Sequence, residues 1–182
     1  SERMKQRPIR VLVEALNRLG ARIGYLENEG FPPLEIYGSR LVGGSIDIPA
    51  SVSSQYISAL LMIAPYMEKG LEIRLTGKVV SSSYIDMTLQ IMREFGAEVG
   101  REDTVIGVKP GEYRSVPYRV ESDWSAASYF YELLAIAGEG EIILTGLKEK
   151  SMQGDSRQTV VWRKLGVRTC YEGDLVRLSA AK

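Results

Sequence analysis

Histidine is missing from this 182-residue chain, and cysteine occurs once, as Cys170. Without histidine there is no Ser-His or Cys-His nucleophile pair, and most transition-metal sites lose a principal ligand. Any proton transfer must then use carboxylates, lysine or tyrosine. A lone cysteine excludes an internal disulfide and suits a reducing cytoplasm. Net charge is also lacking: 23 Lys and Arg balance 23 Asp and Glu, so no global field recruits nucleic acid or an anionic membrane. No apolar run approaches the roughly 20 residues of a membrane span, and no charged-then-apolar leader opens the chain. The sequence starts without Met, at "SERMKQRPIRVLVEALNRLG". It enters a helical pattern almost at once, which reads as a cut from a longer chain.

The composition that is present, 45% hydrophobic and 25% charged, is that of a globular protein long enough to bury a core. Three segments share one grammar, an amphipathic helix closed by an apolar residue and Gly and followed by a strand: "VEALNRLGARIGYLE", "LQIMREFGAEVGRED" and "VVWRKLGVRTCYEGD". Their glycines, Gly20, Gly96 and Gly166, lie 76 and 70 residues apart. Each is expected to close its helix in the left-handed conformation. The intervening segments match as well. "SIDIPASVSSQYISALLMIA" parallels "YRVESDWSAASYFYELLAIA", and strands ending at Thr76-Gly77 and Thr145-Gly146 each lead into a polar loop and a second helix. The unit is therefore strand-helix-strand-helix-strand-strand. One full copy is expected over roughly 44–110 and another over roughly 117–180, with residues 1–42 holding the last helix and hairpin of an earlier copy. Strands alternating with helices predict an α/β protein with parallel pairings. The polar, proline-containing "KPGEYRSVPYRVESD" is the best candidate boundary.

In the first full copy, Ser53 and Ser54 stand at the opening of the apolar helix "QYISALLMIA", which predicts a largely buried helix. One serine could simply be the N-cap. Alternatively the free N–H groups, the hydroxyls and the Gln55 amide could hold an anion. A second hydroxyl cluster, Ser81 to Ser83 followed by Tyr84, opens the next helix. If the two helices lie side by side, their N-termini share one end of the module. Near the start, Arg3, Lys5, Arg7 and Arg10 crowd a helix N-terminus, where cations oppose the dipole. Pro8 fits a first helical turn and would put Arg7 at that helix mouth. Asp123 reads as an N-cap, and Trp124, Tyr129, Phe130 and Tyr131 read as core and interface. "GLEIRLTGKV" fails as a P-loop, since its glycine spacing is wrong and Val79 stands where Ser or Thr is needed.

Together, "MKQRPI", "GGSIDIPASVSSQYISALLMIAP", "SSSYIDMTLQIMREFGAEV", "SDWSAASYF" and "SMQGD" occur in an order that closely resembles the central portion of the 5-enolpyruvylshikimate-3-phosphate synthase family. The resemblance implies an incomplete version of the enolpyruvyl transferase fold, an inside-out α/β barrel of repeated βαβαββ units. It implies that residues 1–121 are a partial first domain, with one partial and one complete unit, and that 122–182 are the opening unit of a second. The implied activity is transfer of enolpyruvyl from phosphoenolpyruvate to the 5-hydroxyl of shikimate 3-phosphate, releasing phosphate, in aromatic amino-acid biosynthesis. No metal or organic cofactor is implied, and no nucleic-acid or membrane partner; the expected location is the cytoplasm. By motif, Ser53, Ser54 and Ser81 would hold the phosphate of shikimate 3-phosphate. Gln55 would reach both substrates, Tyr84 would line the shikimate pocket, and Arg7 would bind phosphoenolpyruvate.

The sequence departs from the family pattern at three places. Ser82 and Ser83 stand where members often have Lys-Pro, and Ser122 replaces a glycine at the expected hinge. The family's N-terminal Lys-Ser-Arg segment, its Gly-rich loop and the C-terminal segments that supply its catalytic Asp and Lys have no counterpart here. No residue qualifies as a general acid or base, so the expectation is a fragment, inactive alone, whose partner is the remainder of its parent chain. Two rivals remain: a relative acting on UDP-N-acetylglucosamine, and a non-catalytic, repeat-built binding or scaffold domain.

Overall fold

The computed structural model describes residues 2–77 and 82–180. They form two compact units, one reaching to Val116 and the other starting at Pro117.

The first unit opens with a 3-10 turn at Glu2–Gln6, helix α1 (Arg10–Arg18) and the antiparallel hairpin β1 (Arg22–Tyr25) and β2 (Leu34–Tyr37). A complete βαβαββ module follows: β3 (Gly44–Pro49), α2 (Ser54–Ile63), β4 (Leu71–Thr76), α3 (Ser82–Glu94), β5 (Val99–Glu102) and β6 (Val105–Val108). The sheet order is β3-β4-β6-β5. β3 and β4 are parallel, in register from Gly44↔Leu71 to Pro49↔Thr76, and β6 runs antiparallel to both its neighbours. A parallel pair needs a crossover between its strands, and α2 supplies it.

Period-two alternation decides which face is covered. Ile46, Ile48, Leu71, Ile73 and Leu75 are buried, while Ser45, Asp47 and Arg74 alternate with them on the exposed face. Ile57, Leu60 and Leu61 of α2 and Ile85, Leu89 and Met92 of α3 complete the same core. α2 is less buried than its apolar run predicts. Met62 is 50% and Ile63 37% exposed, because the sheet lies against only one side of the helix.

The second unit repeats the plan without its opening strand: α4 (Trp124–Ala137), β7 (Glu141–Thr145), α5 (Gln158–Lys164), β8 (Val167–Glu172) and β9 (Leu175–Ala180). Its sheet order, β7-β9-β8, is that of β4-β6-β5. "YRVE" was expected to be the first strand of this copy and is not one. Pro117 has no N–H to give a ladder, and Val120 is 78% exposed, so the segment has no apolar face to bury. The chain is held just beyond it, where the Ser122 N–H donates to the Gly146 carbonyl at 2.8 Å and the Ser122 carbonyl accepts from Gln153 Nε2 at 2.8 Å. Trp124, Tyr131, Leu134, Val167, Val176 and Leu178 form the core. Burial pushes the Tyr131 phenol up to about 12, and its hydroxyl pairs with Thr169 at 2.7 Å.

Gly20, Gly96 and Gly166 all adopt positive φ, at 107°, 87° and 85°. After α1 and α3 the closing bonds run from Ala21 N–H to Leu16 and from Ala97 N–H to Met92, both 2.9 Å. That is the left-handed closure expected where a helix stops at glycine. Among the described residues no helix is long and apolar enough to cross a membrane.

Candidate functional site

Because β3 and β4 are parallel, α2 and α3 both leave the carboxyl ends of their preceding strands. This is the end at which open α/β sheets hold ligands. One hydrogen-bonded chain sets the two helices level. Thr88 Oγ1 donates to the Tyr84 carbonyl at 2.8 Å, so its lone pairs are left to accept from Ser58 Oγ, also at 2.8 Å. Ser58 lies one turn beyond Ser54, and Thr88 one turn beyond Tyr84. The first turns of α2 and α3 therefore stand side by side.

Ser53 is the N-cap of α2, with φ −49° and ψ 125°, and its hydroxyl accepts the Gln55 N–H at 3.4 Å. That is a long bond for an N-cap. Ser53 and Gln55 are exposed and Ser54 is half-buried. Among the described residues the Ser54 hydroxyl and the Gln55 side-chain amide have no protein partner. The first turns of α2 and α3 contain no acidic residue. At α2 the free N–H groups and the positive end of the helix dipole are thus left facing outward, beside the uncommitted Ser54 hydroxyl.

Tyr84 sits in the first turn of α3, 56% exposed, with Ser83 exposed beside it. Ser81 lies outside the described residues.

Arg7 is not where its sequence neighbours put it. Ile9, not a residue upstream of Pro8, is the N-cap of α1, and the helix begins at Arg10. The Ile9 N–H donates to the Gly30 carbonyl at 2.8 Å, a tertiary bond that keeps the chain out of helical geometry through Pro8. Arg7 therefore precedes the helix in a short loop. That loop is tied to the serine helix instead: Tyr56 of α2 donates its hydroxyl to the Pro8 carbonyl at 2.6 Å. Lys5 pairs with Glu27 at 2.8 Å and Arg10 with Glu29 at 3.3 Å. Arg7 is exposed and has no carboxylate partner among the described residues. The structure thus brings Ser53, Ser54 and Gln55 to one helix mouth and Tyr84 to the adjoining one, and it anchors the residue after Arg7 to α2. Sequence reasoning missed Tyr56 and the Ser58–Thr88 pair. A tyrosine and a serine inside an apolar helix were the signals, and neither was singled out.

The corresponding mouth in the second unit is furnished differently. Asp123 caps α4, accepting the Ser125 N–H at 2.8 Å. Ser125 Oγ donates to Asp155 at 2.5 Å, and the Trp124 N–H donates to Gln153 Oε1 at 2.9 Å. Glu121 accepts from the Trp124 indole N–H at 3.0 Å, the Lys148 N–H at 2.9 Å and Ser151 Oγ at 3.0 Å. Every donor at that helix start named here has a partner within the protein.

A groove of about 810 Å³ lies at the other end of β3 and β4 and is lined by Ser45, Lys69, Glu72, Arg93, Glu98 and Lys109 among others. Glu98 pairs with Lys109 and Glu72 with Arg74, both at 2.7 Å. The groove mixes Lys69, Arg93 and Lys109 with Glu72 and Glu98 and lies away from the first turns of α2 and α3, so volume alone does not mark it as the site. Among the described residues no group of three or more His, Cys, Asp or Glu is placed to hold a metal ion.

Residues 1–180 match the family model described as EPSP synthase (3-phosphoshikimate 1-carboxyvinyltransferase). A 3-phosphoshikimate 1-carboxyvinyltransferase of Bacteroides fragilis is 53% identical over 179 residues, covering 98% of this chain and 44% of its own length. The protein of that name from Mannheimia haemolytica is 44% identical, with 96% of this chain and 41% of the relative covered. Among solved structures, an EPSP synthase from Acinetobacter baumannii superposes with a TM-score of 0.73 at 20% identity. It covers all of this chain and 41% of that one. The likeness carries the enolpyruvyl transferase fold across. The chain spans less than half the length of the curated relatives it matches.

Proposed function

This chain belongs to the EPSP synthase family, and on that premise we propose that it carries part of the substrate site of a 3-phosphoshikimate 1-carboxyvinyltransferase of the shikimate pathway. The whole enzyme transfers enolpyruvyl from phosphoenolpyruvate to the 5-hydroxyl of shikimate 3-phosphate and releases phosphate. It works in the cytoplasm. Such a reaction depends on holding two anions in register and on moving protons between them. The present residues serve the first task. Ser53 and Ser54, with Ser81, hold the phosphate of shikimate 3-phosphate; Gln55 reaches both substrates; Tyr84 lines the sugar-acid pocket; and Arg7 meets phosphoenolpyruvate. Residues 1–121 belong to the first domain and 122–182 open the second. Proton transfer falls to residues in the remainder of the parent chain, so this chain alone binds and does not turn over.

The observation that carries this reading is the pair of adjoining helix mouths with hydroxyls and no carboxylate in their first turns. Anions seat on such N-termini through backbone N–H groups and the dipole. Isothermal titration with shikimate 3-phosphate tests it. Each charge-assisted bond is worth about 1.5–3 kcal/mol, so Ser53→Ala/Ser54→Ala is expected to weaken binding at least tenfold. Equal heats for wild type and variant would remove the site assignment. Phosphate release by this chain alone, in a turnover assay with both substrates, would refute its inactivity.

A further inference from the structure

We infer that Tyr56 is a positioning residue that holds Arg7 towards the serine-lined mouth of α2. The inference rests on the reading of Arg7 as a phosphoenolpyruvate ligand and adds the group that places it. Tyr56 lies in the first turn of α2, half-buried, and its N–H donates to the Ser53 carbonyl at 2.9 Å. The turn that presents Ser53 and Ser54 thus also fixes the origin of the Tyr56 side chain. From there the phenol reaches across 48 positions of sequence to the Pro8 carbonyl at 2.6 Å. The other bonds of that segment, Lys5 to Glu27 and Ile9 to Gly30, tie it to the hairpin loop that follows α1. Among the described residues, the Tyr56 bond is the hydrogen bond that ties it to the serine helix.

Proline makes this grip effective. Its ring fixes φ of residue 8, and the steric demand of the ring confines Arg7, the preceding residue, to extended backbone. Anchoring the Pro8 carbonyl therefore fixes the direction in which the Arg7 side chain leaves the chain. A guanidinium so directed loses less freedom when an anion arrives. Phenylalanine at position 56 would fill the same space without the bond. The hydroxyl is thus the part to test.

The 182-residue chain is titrated with phosphoenolpyruvate and, separately, with shikimate 3-phosphate, following backbone amide shifts in wild type, Tyr56→Phe, Arg7→Ala and the double variant. Loss of one hydrogen bond is expected to weaken phosphoenolpyruvate binding by roughly three- to tenfold in Tyr56→Phe. Shikimate 3-phosphate affinity should stay within about twofold. In the Arg7→Ala background the same change should add nothing, the signature of one residue acting through the other. Pro8→Gly keeps the carbonyl and frees Arg7, and it should reproduce the ligand-selective loss. Additive losses in the double variant, equal losses for both ligands, or no loss in Tyr56→Phe would overturn the inference while leaving Arg7 in place. No binding of phosphoenolpyruvate by wild type, or unchanged affinity in Arg7→Ala, would instead remove the underlying reading and the inference with it.

Discussion

At the mouth of α4 a carboxylate caps the helix, at 2.8 Å from the Ser125 N–H; at the mouth of α2 a serine hydroxyl does so, at 3.4 Å from the Gln55 N–H. The two helices hold the same place in a repeated strand-helix plan, and each precedes a strand that ends in Thr-Gly. What differs is who satisfies the donors. Around α4 the protein does it, with Asp123, Asp155 and Gln153. Around α2 one backbone donor is weakly met by Ser53, and the Ser54 hydroxyl and Gln55 amide have no protein partner among the described residues. A repeat can thus use a helix start to stabilise itself or leave it available to an anion, and two acidic side chains are enough to separate the outcomes.

Exchanging the caps should break this contrast most strongly. Ser53→Asp puts the α4 solution on α2, and a carboxylate set against a phosphate costs several kcal/mol. Shikimate 3-phosphate affinity should fall by about a hundredfold or more, as read by calorimetry. The melting temperature should hold or rise, because Asp caps as well as Ser and favours the dipole. A parallel loss of stability and affinity would mean that Ser53 is only a cap. The reciprocal change, Asp123→Ala, removes a strong cap and is expected to cost the protein about 1 kcal/mol, seen as faster amide exchange in α4. It should create no phosphate site, since Asp155 still faces that mouth. Of similar size is Ser58→Ala, which removes the bridge to Thr88. It should cost about 0.5–1.5 kcal/mol of stability by thermal melting and weaken shikimate 3-phosphate only a few-fold, by loosening the alignment of the two first turns. A loss as large as that of Ser53→Asp would place Ser58 in the site itself.

The features legible in the sequence were those set by local physics. Gly20, Gly96 and Gly166 announce helix ends because only a residue without Cβ readily enters the left-handed region, and all three do so. Ser53 announces a cap because its hydroxyl reaches a donor two residues on. The errors came where a distant partner decides. "YRVE" alternates like a strand, but alternation cannot supply the neighbour that would complete a ladder. Pro8 suits a first helical turn, yet the Ile9–Gly30 bond moves the start of α1 to Arg10. Tyr56 drew no reading of its own because its hydroxyl partner is 48 residues away. The role expected of Arg7 was read from its motif, and the tie between its neighbour Pro8 and α2 became visible only through that bond.

The most direct test of the contrast is to watch both helix mouths at once as shikimate 3-phosphate is added. In an isotope-labelled sample, the amides of Ser54, Gln55 and Tyr56 and those of Ser83 and Tyr84 should shift along a single saturable curve. Those of Ser125, Ala126 and Ala127 should stay where they are. Shifts at the start of α4 equal to or larger than those at α2, or none at α2, would contradict the account.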